Sequence, residues 1–447
     1  MPRDDTSPAA LGAAEAARLI REGRLSAAEL TAACLARIEA REPVVAAWTF
    51  LDPDYAHDQA RALDARQQAG APLGPLHGVP VGIKDIIDTA DMPTEHGTVL
   101  HAGRRPAEDA AVVERLRSAG AVILGKTVTT EMAFYTPGKT RNPHDPSRTP
   151  GGSSSGSAAA VADGMVPLAV GSQTNGSVIR PASFCGVVGF KPTHGLISRH
   201  GMLRASSLLD HVGVFARSVE DAALIADVLA GYDARDPDTR PAAAPRLSQA
   251  VATEPPVPPR LGFVRTPVWE RAEPGLGLAF DGLLGRLGDA VAEDTLPDAF
   301  GRAHALHQLI VEADLALNYA REYHRGRNRL SRRLAAMIER GGEVRARDYN
   351  AACREVVRLR EALAPLFERY DALLTPATPG EAPVGLESTG DPAFCTIWTL
   401  LGVPAVTLPL LKGPSGLPIG VQLVGSRGED GRLLGTARWL VERLAGS

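Results

Sequence analysis

Between Gly74 and Thr127 the chain switches repeatedly between two hydrophobic periods, and this alternation restricts the fold more than any bulk property does. In "GPLHGVPVGIKDIIDTA" the apolar residues Val79, Val81 and Ile83 occupy every second position up to Lys84, with Gly and Pro as breaks, as in a short strand. "AEDAAVVERLRSAGAVILGKT" then reads as a helix feeding a buried strand from Val122 to Leu124. Strands alternating with helices predict βαβ units, hence an α/β/α sandwich: a mixed, largely parallel, twisted sheet surrounded by helices.

The 447 residues with 44% hydrophobic content are enough for one large α/β unit, read as a single domain over 1–447. Its first part, 1–70, is helical. Ser26 and Glu29 form a capping-box pattern ahead of "LTAACLARIEA", where Leu30, Cys34 and Ile38 recur every fourth residue. Residues 71–235 form the core, and the proline- and alanine-rich stretch 236–260 reads as a surface connection. The remainder, 261–447, contains a basic helical segment at about 303–370, "REYHRGRNRLSRRLAAMIERGGEVRARDY", with interleaved glutamates that favour a solvated face over a nucleic-acid surface.

A net charge of −4 provides no field for recruiting nucleic acid or an acidic membrane, so a small-molecule partner is expected, with no nucleic acid and no membrane. Cys34, Cys185, Cys353 and Cys395 lack metal or CxxC spacing, so neither a metal nor another cofactor is implied. Cys185 lies in apolar surroundings that keep it a thiol. "MPRDDTSPAA" has no apolar core, and no later run approaches the roughly 20 residues of a membrane span, which together predict a soluble, cytoplasmic protein. Monomer and homodimer are both open.

Two serine-glycine clusters flank the apolar stretch "AAAVADGMVPLAV", so they are loops pinned to buried elements and not a tether. "GGSSSGSAAAVA" lacks the GK[ST] of a phosphate cradle. Its formal GxSxG around Ser154 follows a loop, where a nucleophile elbow needs a strand. The second cluster, "GSQTNGSVIRP", follows the apolar run "VPLAV" and brings the Ser177 hydroxyl to a tight turn. Main-chain amides of Thr174, Asn175, Gly176 and Ser177 can converge there as an oxyanion hole. Gly176 permits the turn without a Cβ penalty. Lys84, at the end of an apolar strand, is the candidate base, since burial favours its neutral amine.

"GVPVGIKD", "GGSSSGSAAAVADG", "GSVIRPASFCGVVGFKPT" and "GLPIGVQLVG" together resemble the amidase signature family over roughly residues 10 to 445. The resemblance implies a triad of Lys84, a bridging Ser153 preceded by a cis peptide bond, and the nucleophile Ser177, with the two serines 24 positions apart. It implies support of the triad from Ser154, whereas Ser155 is read as satisfying loop amides. The family pattern has Asp at Gln173, Gly at Asn175 and an arginine one position earlier than Arg180, which suggests neutral hydrogen bonding in place of an ion pair. By the same resemblance Met132, Phe134, Tyr135 and Trp398 line an apolar channel.

That channel favours a stand-alone serine hydrolase cleaving aryl or alkyl amides, with carbamates (urethanase activity) and esters sharing the carbonyl chemistry. The rival is the glutaminase, A-type subunit of a tRNA-dependent amidotransferase, for which a polar glutamine pocket is not evident in the sequence. A non-catalytic binding protein of the same fold is the third reading, disfavoured by retention of all three triad residues.

Overall fold

The computed structural model describes residues 7–446. Residues 1–6, on which much of the no-leader reading rests, lie outside the described residues. Eleven strands form one sheet: β1 Trp48–Leu51, β2 Pro80–Lys84, β3 Val122–Thr127, β4 Leu168–Gln173, β5 Val188–Lys191, β6 His211–Ala216, β7 Leu261–Arg265, β8 Val291–Thr295, β9 Ala372–Pro376, β10 Ala405–Lys412 and β11 Pro418–Val424. Their order is β1-β3-β2-β4-β6-β5-β10-β11-β9-β7-β8, so strands from both halves of the chain share one hydrogen-bonded layer.

The mixed sheet has a definite arrangement. β2 runs parallel to β3 and β4 on one flank, and β7 runs parallel to β8 and β9 on the other. From β4 through β6, β5, β10 and β11 to β9 the pairing is antiparallel. The parallel character expected from the βαβ alternation is therefore confined to the flanks. At the centre β10 and β11 form a hairpin across a short turn, which can join only antiparallel neighbours.

Local signals account for the elements that frame the site. The Ser26–Glu29 capping box is formed, and it starts the helix Ala27–Val45. β2 is buried along its whole length and ends at Lys84, so the lysine is carried into the interior by an apolar strand. Helix Ser155–Asp163 follows the first serine cluster and is buried throughout. Its alanines permit close approach to the sheet, and Gly156 sits where a Cβ would strike the Ala47 carbonyl oxygen and the Val128 amide.

The proline-rich connection is more ordered than its composition suggests. It contains the helix Leu247–Ala252, whose first amides are bound by Asp227 at 2.5 and 2.7 Å, and it buries Leu247 and Val251 in the main core. Only two of its six residues, Leu247 and Val251, are buried, too few for a visible helical period. The basic segment forms the helices Ala303–Asn318, Ala320–Gly326, Arg332–Gly342 and Ala346–Arg369. In the last of these Val356, Leu359, Leu363 and Leu366 face inward, and most of its arginines are exposed.

Candidate active site

Lys84 is fully buried, and its Nζ donates to Ser153 Oγ at 2.6 Å and to Ser172 Oγ at 2.8 Å. The Gly152–Ser153 peptide is cis. Burial holds the Lys84 amine well below the ordinary lysine range; the buried carboxylate of Asp210 pulls the other way, and Arg180 adds to the lowering. Burial thus favours the neutral amine, the form with a lone pair to offer.

The two serine clusters meet through side chains. Ser154 Oγ donates to the Ser172 carbonyl at 3.1 Å and lies 3.2 Å from the Ser172 amide, tying the start of one helix to the end of β4. Ser155 Oγ donates to the Val128 carbonyl at 3.3 Å. Ser172 is a lysine partner that sequence reasoning missed. Its only signal is a polar residue near the end of an otherwise apolar strand, and it becomes meaningful once β4 is known to lie beside β2.

Beyond β4 the chain makes the turn that carries Ser177, which is nearly buried. Among the described residues, the main-chain N–H groups of Thr174, Asn175, Gly176 and Ser177 donate to no protein acceptor. Everything else about the turn is fixed. Thr174 Oγ1 donates to Asp210 at 2.7 Å, the Thr174 carbonyl meets His307 Nε2 at 2.9 Å, and Asn175 Oδ1 accepts from Thr396 at 2.8 Å. Thr399 Oγ1 donates to the Asn175 carbonyl. Gly176 does not adopt a left-handed φ; a Cβ there would instead lie 2.9 Å from Pro392 Cβ. Close approach, and not backbone freedom, is the reason for glycine at this position.

The departures at 173 and 180 have physical accounts. Gln173 Oε1 accepts from the amides of Val178 and Ile179 at 2.8 and 3.0 Å, capping the helix Ile179–Cys185, while its Nε2 donates to Thr399 at 2.9 Å. Among the described residues Arg180 makes no ion pair. It donates to the carbonyls of Gly152 at 2.7 Å and Gly390 at 3.2 Å and to Thr389 Oγ1 at 3.1 Å, so neutral acceptors replace a carboxylate. We expect Gln173→Ala to lower unfolding free energy by about 1–2 kcal/mol, the usual cost of a lost helix cap, and to depress kcat with little change in KM. Chemical denaturation together with steady-state kinetics measures both.

The four residues expected to form an apolar channel separate. Met132, Phe134 and Trp398 belong to a buried hydrophobic cluster, with Trp398 wholly inaccessible on the all-buried helix Ala393–Leu400. Only Tyr135 reaches the pocket beside the Ser177 turn, where its hydroxyl is 3.5 Å from Asn175 Nδ2. This pocket, of about 470 Å³, is of mixed character: Arg271, Arg333, Arg340, Gln308, Glu312 and Asp391 contribute charged and polar groups to a wall completed by Val311, Met337 and Pro392. Arg340 is held by Glu312, and Arg271 by Asp391 at 3.2 Å. Arg333 has no carboxylate partner among the described residues and lies over the Tyr135 ring, 4.0 Å from its centroid. An apolar run in the sequence marks burial as readily as a binding wall, and the polar groups come from elements far apart in the chain.

Two further lysines are buried. Lys126 donates to the Ile87 carbonyl and Thr94, and Lys191 to the Val403 carbonyl. Burial lowers Lys126 to about 8 and Lys191 to about 7. Burial likewise lowers His96, His194 and His307 to about 4 and raises the Cys34 and Cys395 thiols to about 12. Where a folded amine or imidazole is neutral and its unfolded counterpart charged, the unfolded state binds more protons, so stability rises with pH. We expect stability to climb from about pH 4 to 6.5 through the histidines and from about pH 7 through the lysines. Above pH 9 the unfolded cysteines ionise while the folded thiols do not, which opposes the gain. Urea titrations at constant ionic strength across this range test the shape.

The fold and this constellation define the class. The chain belongs to the Amidase family, whose model matches residues 29–434. It is 38% identical to the A-type subunit of glutamyl-tRNA(Gln) amidotransferase from Chloroflexus aurantiacus, covering 94% of each chain, and 38% identical to the protein of the same name from Salinispora arenicola, covering 96% of each. Among solved structures it resembles one described as a vestigial protein complex that reveals the origins of an s-triazine catabolic enzyme, with a TM-score of 0.90 and 30% identity over 97% of this chain and 98% of that one. The peptide amidase from Stenotrophomonas maltophilia aligns with a TM-score of 0.83 and 29% identity over 99% of this chain and 98% of that one.

These findings correct two expectations. The preference for a stand-alone hydrolase of apolar amides gives way, because curated relatives of nearly equal length are amidotransferase subunits and the pocket is not apolar. The exclusion of nucleic acid falls with it, since the relatives' names include a tRNA and their designation as subunits implies partner chains. A net charge of −4 does not support that exclusion, because net charge averages over local basic surfaces. No helix among the described residues is long and apolar enough to cross a membrane.

Proposed function

We propose that this chain is the glutamine-hydrolysing, A-type subunit of an amidotransferase, working in the cytoplasm and releasing ammonia for a partner-bound acceptor. The observation that carries the reading is the pocket beside the Ser177 turn, whose wall holds both the guanidinium of Arg333, which has no carboxylate partner among the described residues, and the carboxylate of Asp391. Those charges suit the α-carboxylate and α-ammonium of an amino acid, and the names of the relatives support it further.

The chemistry follows from the groups in place. Neutral Lys84 takes the Ser153 proton, Ser153 takes that of Ser177, and Ser177 Oγ bonds to the side-chain carboxamide carbon of glutamine. The negative oxygen that forms is met by the free amides of residues 174–177, each donor contributing about 3 kcal/mol. As the carbon–nitrogen bond breaks, Ser153 returns a proton to the leaving ammonia. Water, deprotonated by the same relay, then opens the glutamyl ester to glutamate and frees Ser177. Thr174, Asn175 and Ser154 act by holding the turn and β4 in register.

Ammonia release from glutamine and from propionamide, measured for wild type and Arg333→Leu, tests the reading. Glutamine should be the better substrate of wild type, and the variant should lose about 10- to 100-fold in kcat/KM for glutamine alone, the worth of one charge-assisted pair. Equal use of propionamide by wild type, or an equal loss on both substrates, would count against glutamine.

A further inference from the structure

A second cavity, of about 760 Å³, shares no lining residue with the pocket beside Ser177. Its wall carries Arg321, Arg325 and Arg329, together with Arg104, His96 and His101. Arg321 and Arg325 stand four residues apart on the helix Ala320–Gly326 and so share a face; Arg329 follows on the next turn. All three are exposed and, among the described residues, have neither an ion pair nor a side-chain hydrogen bond. The acids nearby are already committed. Asp88 binds Arg104 through both oxygens at 2.7 and 2.8 Å, and Glu322 meets His101 at 3.2 Å. His96, nearly inaccessible, meets His101 through its Nδ1, while its Nε2 has no hydrogen-bond partner and lies 3.9 Å from Asp88.

Three uncompensated guanidiniums around one concavity repel one another and concentrate anions from solution. Their planar forks match tetrahedral oxyanions, and a volume of this size admits more than one phosphate group.

We propose that this cavity is a phosphate-binding site, separate from the amide-cleaving centre, that takes a ligand carrying at least two phosphate groups, either free or as neighbouring phosphates of an RNA backbone. The proposal does not rest on the chemistry at Ser177. It does have a physical connection to the active-site wall. Tyr319, next to the arginine helix, donates to the Met132 carbonyl at 2.9 Å and stacks edge-on with Phe134, the neighbour of Tyr135.

Isothermal titration of wild type and the exchange Arg321→Gln/Arg325→Gln with inorganic pyrophosphate, and separately with a tRNA-length RNA, decides it. Glutamine retains helix propensity, so unliganded melting should be unchanged. Wild type should bind, more weakly as salt rises, and the double variant should bind at least about ten-fold more weakly, with a salt slope reduced by about two. Loss confined to pyrophosphate assigns a free phosphate ligand; loss of RNA binding, with or without pyrophosphate, assigns the backbone. Failure of wild type to bind either probe, or equal binding by the variant, overturns the proposal.

Discussion

Lys84→Met is expected to lower kcat for glutamine hydrolysis by roughly 10⁴-fold and to leave KM within about three-fold, because in the proposed relay it removes the base hydrogen-bonded to Ser153. Methionine fills the same volume without a lone pair of useful basicity. Lys84→Arg should be as inactive for the opposite reason, since a guanidinium never gives up its proton. The pH profile separates this role from a packing role. Burial keeps the wild-type amine neutral at pH values where an exposed lysine is charged, so kcat/KM should hold on the alkaline side and fall as acid protonates Lys84. The residual rate of Lys84→Met should lack that acid limb. Stability should respond differently: methionine avoids burying an amine, so unfolding free energy should not fall below wild type at neutral pH, and its dependence on pH should weaken. A variant that keeps a tenth of wild-type kcat would show that Lys84 is not the base.

The contact between Lys84 and the first serine cluster was legible because its parts lie within strong local patterns. An alternating apolar strand ending in lysine states both where the amine goes and that it goes there without water, and two serine clusters pinned to apolar neighbours state that their hydroxyls are held. Local chemistry also sufficed for the Ser26–Glu29 cap, where four residues contain the whole interaction. The substrate pocket was not legible, and the reason is equally physical. Its wall is assembled from Tyr135, Asn175, Arg333 and Asp391, which come together only through sheet order and helix packing. Hydrophobicity misdirected the reading there, since Trp398 and Met132 are apolar because they fill the core beneath the site. Ser172 was missed for a related reason: its partner is 88 residues away across the β2–β4 pairing.

The departures at 173, 175 and 180 show how a site can change its bonding and keep its geometry. Where the family pattern carries an acid, Gln173 provides one carbonyl oxygen to two helix amides and one amino group to Thr399, and Arg180 turns to three neutral acceptors. Asn175 takes the space of a glycine, yet its side chain is drawn to Thr396 and Tyr135, away from the amides of the turn. These bonds leave the turn with four free donors, and a turn with so many fixed neighbours cannot take in a new atom without shifting against them.

Gly176→Ala is therefore expected to cost about 10²- to 10³-fold in kcat, with a loss of about 1–3 kcal/mol in stability. Alanine is tolerated by the backbone here, because Gly176 lies outside the left-handed region, so the effect comes from space alone. The added methyl would sit 2.9 Å from Pro392 Cβ and 3.2 Å from both Cβ and Sγ of Cys395. Pro392 caps the buried helix Ala393–Leu400 and cannot withdraw without disturbing it, so the turn must move. A displacement of a few tenths of an ångström lengthens the hydrogen bonds that form only as the oxyanion develops, while the glutamine site proposed around Arg333 is left unaltered. The signature is a fall in kcat at nearly constant KM, with slower labelling of Ser177 by a fluorophosphonate whose phosphoryl oxygen occupies the same donors. Ordinary labelling and a kcat within three-fold of wild type would mean that the amides of residues 174–177 do not hold the oxyanion.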